Sequence, residues 1–457
     1  MAARGQMLRS VLERLEKSGD LAVCRKAVSP RFELGAVLTH FNNEKPILFT
    51  DVTGYSMPVA GAVYGNRRIM CDLLDTTVDA RIAKMAAAIG RPAAPRLLSD
   101  GPVRENVVTG NIDILRMLPV PTSNELDSAP FITAGMLAYK DIETGRVHMA
   151  VRRFQVNKGN SINALISGAS PHMQRMLDVC AKEGRSLECA VILGYDAPFL
   201  LASQLSSAKY GLDKYAVDSA LRGEPLELAP CHSIDFAVPA DAEIVLEGVI
   251  RPGHRGPEGP FAELMGYYSE VGQAPLMNIT AVMHRDNPVF QHAFPCREEH
   301  LAYGMIKEVE VYTALSSVVD VRDVNLTLGG GCRLHAVVSI RKRAEGDAKS
   351  AILTTLGAYK DIKHVVVVDH DVDIYDMMDV EFALASRFQA SRDLVVAPGA
   401  LGSPLEASHL ERGVTDKVGF DATMPLGGAD GEYKRAVIPG FDRNFDIRRY
   451  FDPDEGR

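Results

Sequence analysis

Two glutamates and a pair of arginines carry the chemistry this chain can do. In GPEGPFAELMGYYSE, residues 256–270, Glu258 and Glu263 flank an apolar Pro-Phe-Ala step, and glycine and proline keep the segment from forming a helix. A carboxylate on apolar ground costs free energy unless a partner pairs with it or a proton neutralises it. The run MAVRRFQV supplies candidate partners in Arg152 and Arg153. Strand periodicity sends adjacent side chains to opposite faces, so at most one of the two naturally faces an enclosed site. An inward arginine meeting Glu258 would be held in a fixed plane, able to grip a substrate carboxylate through two parallel hydrogen bonds. Glu263 would then remain as the proton carrier, since a carboxylate in an apolar pocket holds its proton to higher pH and suits general acid catalysis. The residues alone leave a second reading open, a surface ion pair beside a solvated turn.

Three kinds of region must position these groups. Residues 1–110 read as a small α/β unit: Leu8, Val11, Leu12 and Leu15 mark one face of an amphipathic helix, PILFTDV a strand, and DARIAKMAAAIG a second helix ended by Gly90 and Pro92. From 111 to 300 short β-rich runs (FITAGMLAY, MAVRRFQV, CAVILGY, EIVLEGVI, LMNITAVMH, PVFQHAF) imply a sheet or barrel, interrupted by a helix around PHMQRMLDVCAKEG. A linker helix is expected over 301–320. Residues 321–457 alternate strands with helices, which implies parallel β-α-β units.

Composition narrows the function class. At 457 residues the chain exceeds what one core usually serves. A net charge of −9 and a pI near 5.8 argue against nucleic acid or an anionic membrane surface as partner and favour small-molecule chemistry. The seven cysteines are scattered, with no C-x-x-C pair and no signal peptide ahead of them, which fits a reducing cytoplasm. No run approaches the roughly 20 apolar residues of a membrane span.

GPEGPFAELMGYYSE resembles the E-G-P-[FM]-G-E-x-x-G-Y signature of UbiD-type decarboxylases, which use prenylated FMN. FITAGMLAYKDIETGRVHMAVRRFQV, ALRGEPLEL, VVVVDHDVDIYDMMDVEFALASRF, RDLVVAPG and TDKVGFDAT are similar to further family segments in the same order, so the resemblance covers nearly the whole chain. It implies an α/β (α+β) fold: an N-terminal α/β unit, a central flavin-reductase-like split β-barrel carrying the site, and a C-terminal α/β domain at the interface of a homodimer or higher homo-oligomer. It implies reversible non-oxidative decarboxylation of an aromatic, heteroaromatic or α,β-unsaturated carboxylic acid. By position, Arg153 would grip the carboxylate, Glu258 would hold Arg153, and Glu263 would act as general acid/base. A flavin prenyltransferase is implied as cofactor supplier.

The resemblance breaks at the metal. The family holds the flavin phosphate through a divalent ion bound by an asparagine five residues before the arginine, a histidine and a glutamate; here those positions read His148, His172 and Lys214, with His172 placed across a one-residue gap. An ammonium is no metal ligand. Three readings stay open: Lys214 meets the phosphate directly; His148 and His172 keep a metal such as Zn, Mn or Fe with another third ligand; or the prenyl-flavin site is lost. In the last case the chain would be a flavin-independent decarboxylase or a non-catalytic accessory subunit of a carboxylase complex. Ala262 stands where the family usually has glycine, which would reshape the pocket. Lys417 in TDKVGFDAT is a candidate for the flavin phosphate or the mouth of the site, with an exposed loop lysine as the alternative. His300 and Tyr303 in REEHLAYG are candidates for the substrate entrance. Asp369, Asp371 and Asp373 read as a capping or turn cluster rather than a metal site, and the Gly329–Gly331 run lacks the strand-to-helix context of a dinucleotide loop.

Overall fold

A computed structural model describes residues 6–165, 171–206, 211–294, 298–409, 411, 413–428, 431–436, 438–439, 446, 449 and 450. Its N-terminal helix, Leu8–Ser18, buries Leu8, Val11, Leu12 and Leu15 and stops at Gly19, whose φ of 76° suits a residue without Cβ. The strand expected in PILFTDV spans Ile47–Phe49 and the second helix Arg81–Gly90. A distant strand, Phe290–His292, joins this region by pairing in parallel with Val59–Gly61.

The site is built on a barrel. In sheet order, Ile244–Glu258, Leu187–Leu193, Phe131–Lys140, Val147–Val156, Ser161–Ala164 and Gly272–His284 pair in succession, and pairing of the first with the last closes the ring. Closure depends on Ile244–Glu258, whose register shifts at Glu247/Gly248 and between Ile250 and Arg255 bend it across the barrel. The same strand delivers Glu258 as its last residue.

The helix Glu298–Ser316 leads out of the barrel. Beyond it the sheet order is Val321–Leu326, His335–Ile340, His364–Asp369, Val414–Ala422 and Leu394–Leu401. The three inner strands are parallel, as expected, but both outer strands run antiparallel, including the RDLVVAPG strand. The run VVVV is buried on both faces: Val365 and Val367 pack with Ile352 and Leu356, Val366 and Val368 with Val380 and Ala383. Period-2 alternation between two helix-covered faces explains why it is apolar throughout.

Candidate active site

Strand parity separates the two arginines as expected. Arg153 turns toward the end of Ile244–Glu258, where Nε donates to Glu258 Oε1 at 2.8 Å and Nη2 to Oε2 at 2.9 Å. Glu258 is 1% exposed, so this two-pronged bond is what makes its burial tolerable. The remaining nitrogen, Nη1, donates to Glu263, and Nη2 also reaches Ser269 Oγ at 3.3 Å. Phe261, from the Pro-Phe-Ala step, lies beneath the guanidinium with its ring centroid 4.6 Å from Cζ. The apolar step is thus the floor under the arginine.

The segment after Glu258 is a tight hairpin, which explains its glycines. Glu263 N–H donates to Tyr267 O and Gly266 N–H to Glu263 O, while Ser269 N–H returns to Phe261 O. Asp127 fixes the buried Ala262 by accepting from its amide at 3.0 Å. Glu263 therefore stands at a turn held by backbone bonds, with its side chain 27% exposed where Glu258 is sealed. One carboxylate is sealed against the guanidinium; the other is partly open to solvent.

Arg152 points the other way, toward a cluster around His148, His172 and Lys214. His148 pairs with Tyr139 across the strands, and the His148 and His172 rings stack at 4.5 Å with 17° between their planes. His172 binds the Tyr139 hydroxyl through Nδ1 at 2.8 Å and Asp141 through Nε2 at 2.7 Å. Lys214, 2% exposed, opens the helix Lys214–Arg222 and donates to the carbonyls of Met149 and Ser203, each at 2.7 Å. Burial, with repulsion from Arg152 and Lys307, draws its pKa down to about 7. Burial likewise drives His148 down to about 2, helped by Lys214, His172 and Arg152, so its imidazole is neutral. Its Nδ1 is buried without a hydrogen-bond partner among the described residues.

This donor set does not fit a divalent ion. Both His172 nitrogens are committed, near-parallel stacked rings cannot aim their in-plane lone pairs at one point, and a lysine replaces the third ligand. Among the described residues no group of three or more His, Cys, Asp or Glu could hold a metal. The expected His148–His172 metal pair is corrected accordingly: the two rings are together, but as a stack. An anion fits better, because Lys214 is a buried amine whose described partners are two main-chain carbonyls and no carboxylate.

The other candidates lie on the linker helix and in the C-terminal domain. Lys417 is not an exposed loop lysine; it is buried in Val414–Ala422 and donates to the carbonyls of Lys360 at 2.7 Å and Leu356 at 3.4 Å, within the C-terminal domain. His300 and Tyr303 lie on the linker helix beside Arg333, which sequence reasoning missed; the Arg333 Cζ is 3.9 Å from the Tyr303 ring centroid. Burial, with Arg333 nearby, holds the His300 imidazole well below its ordinary pKa. The glycine run connects this cluster to the hairpin that carries Glu263, since a Cβ on Gly331 would lie 2.9 Å from Met265 Sδ. Nothing in the local spacing marks Arg333; only the fold brings its loop there. Asp369 and Asp371 pair with Arg387, and Asp373 accepts from the Tyr375 amide, in keeping with a structural cluster.

Comparison with known proteins gives a consistent result. Models of the 3-octaprenyl-4-hydroxybenzoate carboxy-lyase N-terminal, Rift-related and C-terminal domains match residues 12–89, 96–298 and 300–422. An anhydromevalonate phosphate decarboxylase from Methanosarcina mazei is 35% identical over 434 residues, covering 94% of this chain and 99% of that protein. The solved UbiD-class enzyme HmfF from Pelotomaculum thermopropionicum, in complex with FMN, superposes with a TM-score of 0.93 at 39% identity, covering 98% of this chain and all of that one. An evolved dimeric form of HmfF in complex with prFMN gives 0.89 at 37% identity, again covering 98% of this chain and 100% of that one.

Proposed function

The chain belongs to the UbiD family of decarboxylases, and from that premise we propose that it removes CO2 reversibly, without net oxidation, from an aromatic, heteroaromatic or α,β-unsaturated carboxylic acid. Prenylated FMN is the cofactor in this reading, and Lys214 and Arg152 are the residues that would hold its phosphate. The observation that carries the reading is the Arg153 guanidinium, fixed edge-on by Glu258 with Glu263 on its remaining nitrogen.

When bound, prenylated FMN supplies the sink for the electron pair left as CO2 departs. The chain's own residues do the rest. Arg153 receives the substrate carboxylate at Nη1, displacing Glu263 from that nitrogen. Glu258 keeps the guanidinium plane fixed during the exchange, so the carboxylate is positioned without reorganisation. Glu263, released from the arginine, takes up a proton from solvent at its exposed edge and passes it to the carbon that bore the carboxylate, and in the carboxylating direction removes it again.

Exposed apolar side chains on the C-terminal domain, among them Leu353, Met378, Phe382, Val396 and Leu401, support assembly of a homodimer or higher homo-oligomer through that domain. No described helix is long and apolar enough to cross a membrane. The test is CO2 release from a panel of aromatic, furoic and enoic acids, with protein coexpressed with a flavin prenyltransferase and purified without oxygen. Turnover of at least one acid is expected. Cofactor-loaded protein inert on every class would overturn the reading.

A further inference from the structure

The buried lysine that breaks the metal site has a use of its own. Lys214 gives two of its ammonium hydrogens to main-chain carbonyls, and no carboxylate among the described residues is bonded to it. Two further cationic side chains act on it, Arg152 and Lys307, of which Lys307 is already paired with Glu310 at 2.7 Å. Asp213, the adjacent acid, is committed to capping the Tyr215 and Ala216 amides. Beside it, His148 presents a buried, unpartnered Nδ1. A buried ammonium held only by main-chain carbonyls among its described partners is costly unless an anion joins it. These neighbours select a compact, multiply charged anion over any metal ion.

Building on the decarboxylase reading, we propose that Lys214 is the counter-charge for the phosphate of bound FMN or prenylated FMN, so that this chain holds its flavin without a divalent cation. The third ammonium hydrogen donates to a phosphate oxygen, and Arg152 adds to the positive field. A phosphate monoester dianion satisfies the lysine where a carbonyl cannot, because it brings opposite charge as well as an acceptor. The stacked histidines then serve as a wall, with His172 locked by Tyr139 and Asp141.

Titration of the full-length protein with FMN and with riboflavin, each with excess EDTA and with added Mn2+, tests this directly. FMN affinity is expected to be the same in EDTA and Mn2+, and stronger than that of riboflavin. Lys214→Met should weaken FMN about tenfold or more, the loss of one charge-assisted hydrogen bond, and leave riboflavin within about twofold. Lys214→Arg should recover part of the loss, and circular dichroism checks that each variant folds. FMN binding abolished by EDTA and restored by Mn2+ would overturn the proposal while leaving the decarboxylase reading intact, as would equal weakening of both flavins by Lys214→Met. Failure of the wild type to bind FMN or prenylated FMN under either condition would overturn both.

Discussion

Glu258 clasps Arg153 through both carboxylate oxygens, at 2.8 and 2.9 Å, and leaves Nη1 facing Glu263. Two carboxylates on one guanidinium thus hold different posts, one sealed at the end of a barrel strand and one on a hairpin turn.

Replacing either member of the clasp should separate orientation from folding. Arg153→Lys removes the planar fork and should lower kcat/KM by about 100-fold or more, as loss of a preorganised donor does. Glu258→Gln leaves a largely buried guanidinium with a weaker partner and should cost about 3 kcal/mol of stability as well. Thermal melts beside steady-state kinetics check both; an Arg153→Lys enzyme with wild-type kcat/KM would remove Arg153 from the site.

Glu308 should control acid stability. It accepts from Arg67 at 2.7 Å and from Arg81 at 3.0 and 3.2 Å, tying the linker helix to the N-terminal helices. Burial pushes its carboxyl up, but the two arginines outweigh this and the net pKa is lowered. A carboxyl depressed in the folded state stabilises fully above its unfolded pKa, about 4.3, and loses that contribution as pH falls through the folded value. Glu308→Gln should therefore cost about 3–5 kcal/mol near neutrality, with the gap to wild type closing below about pH 4. Denaturant midpoints measured across pH would show the convergence; a constant gap would contradict it.

Gly331 should matter to catalysis through the hairpin it touches. Its φ is +63°, and a Cβ there would meet Met265 Sδ at 2.9 Å and Leu264 Cδ1 at 3.2 Å, next to Glu263. Gly331→Ala should cost about 1–2 kcal/mol and shift the turn that carries the acid. The expected signature is a fall in kcat with flavin affinity unchanged, read by turnover and flavin titration on the same preparation.

Local pattern singled out the two glutamates and the arginine pair, while the choice of Arg153 and the three roles came from the family resemblance. Period-2 alternation separates the adjacent arginines, and glycine and proline announce the turn between the glutamates. Spacing could not show what chain-distant packing decides. His148 and His172 have ligand-like residue types, yet they stack, because Tyr139 and Asp141 take both nitrogens of one of them. Lys417 lies in a family-like segment but is buried against carbonyls of its own domain. In the fold, Phe290–His292 leaves the barrel region for the N-terminal sheet, and Leu394–Leu401 runs antiparallel despite following a helix, as edge strands can.

The most direct measurement is of Glu263→Gln loaded with prenylated FMN, following both net product and exchange of 13C-labelled CO2 into the substrate acid. If Glu263 delivers the proton after CO2 leaves, net turnover should fall about 100-fold or more while label exchange persists, because exchange needs the carbon–carbon bond to break and re-form, with the Arg153 grip and the electron sink in place, but no proton transfer from Glu263. Net turnover at the wild-type rate, or loss of exchange in step with turnover while cofactor and fold are retained, would contradict the assignment of Glu263 as the proton donor.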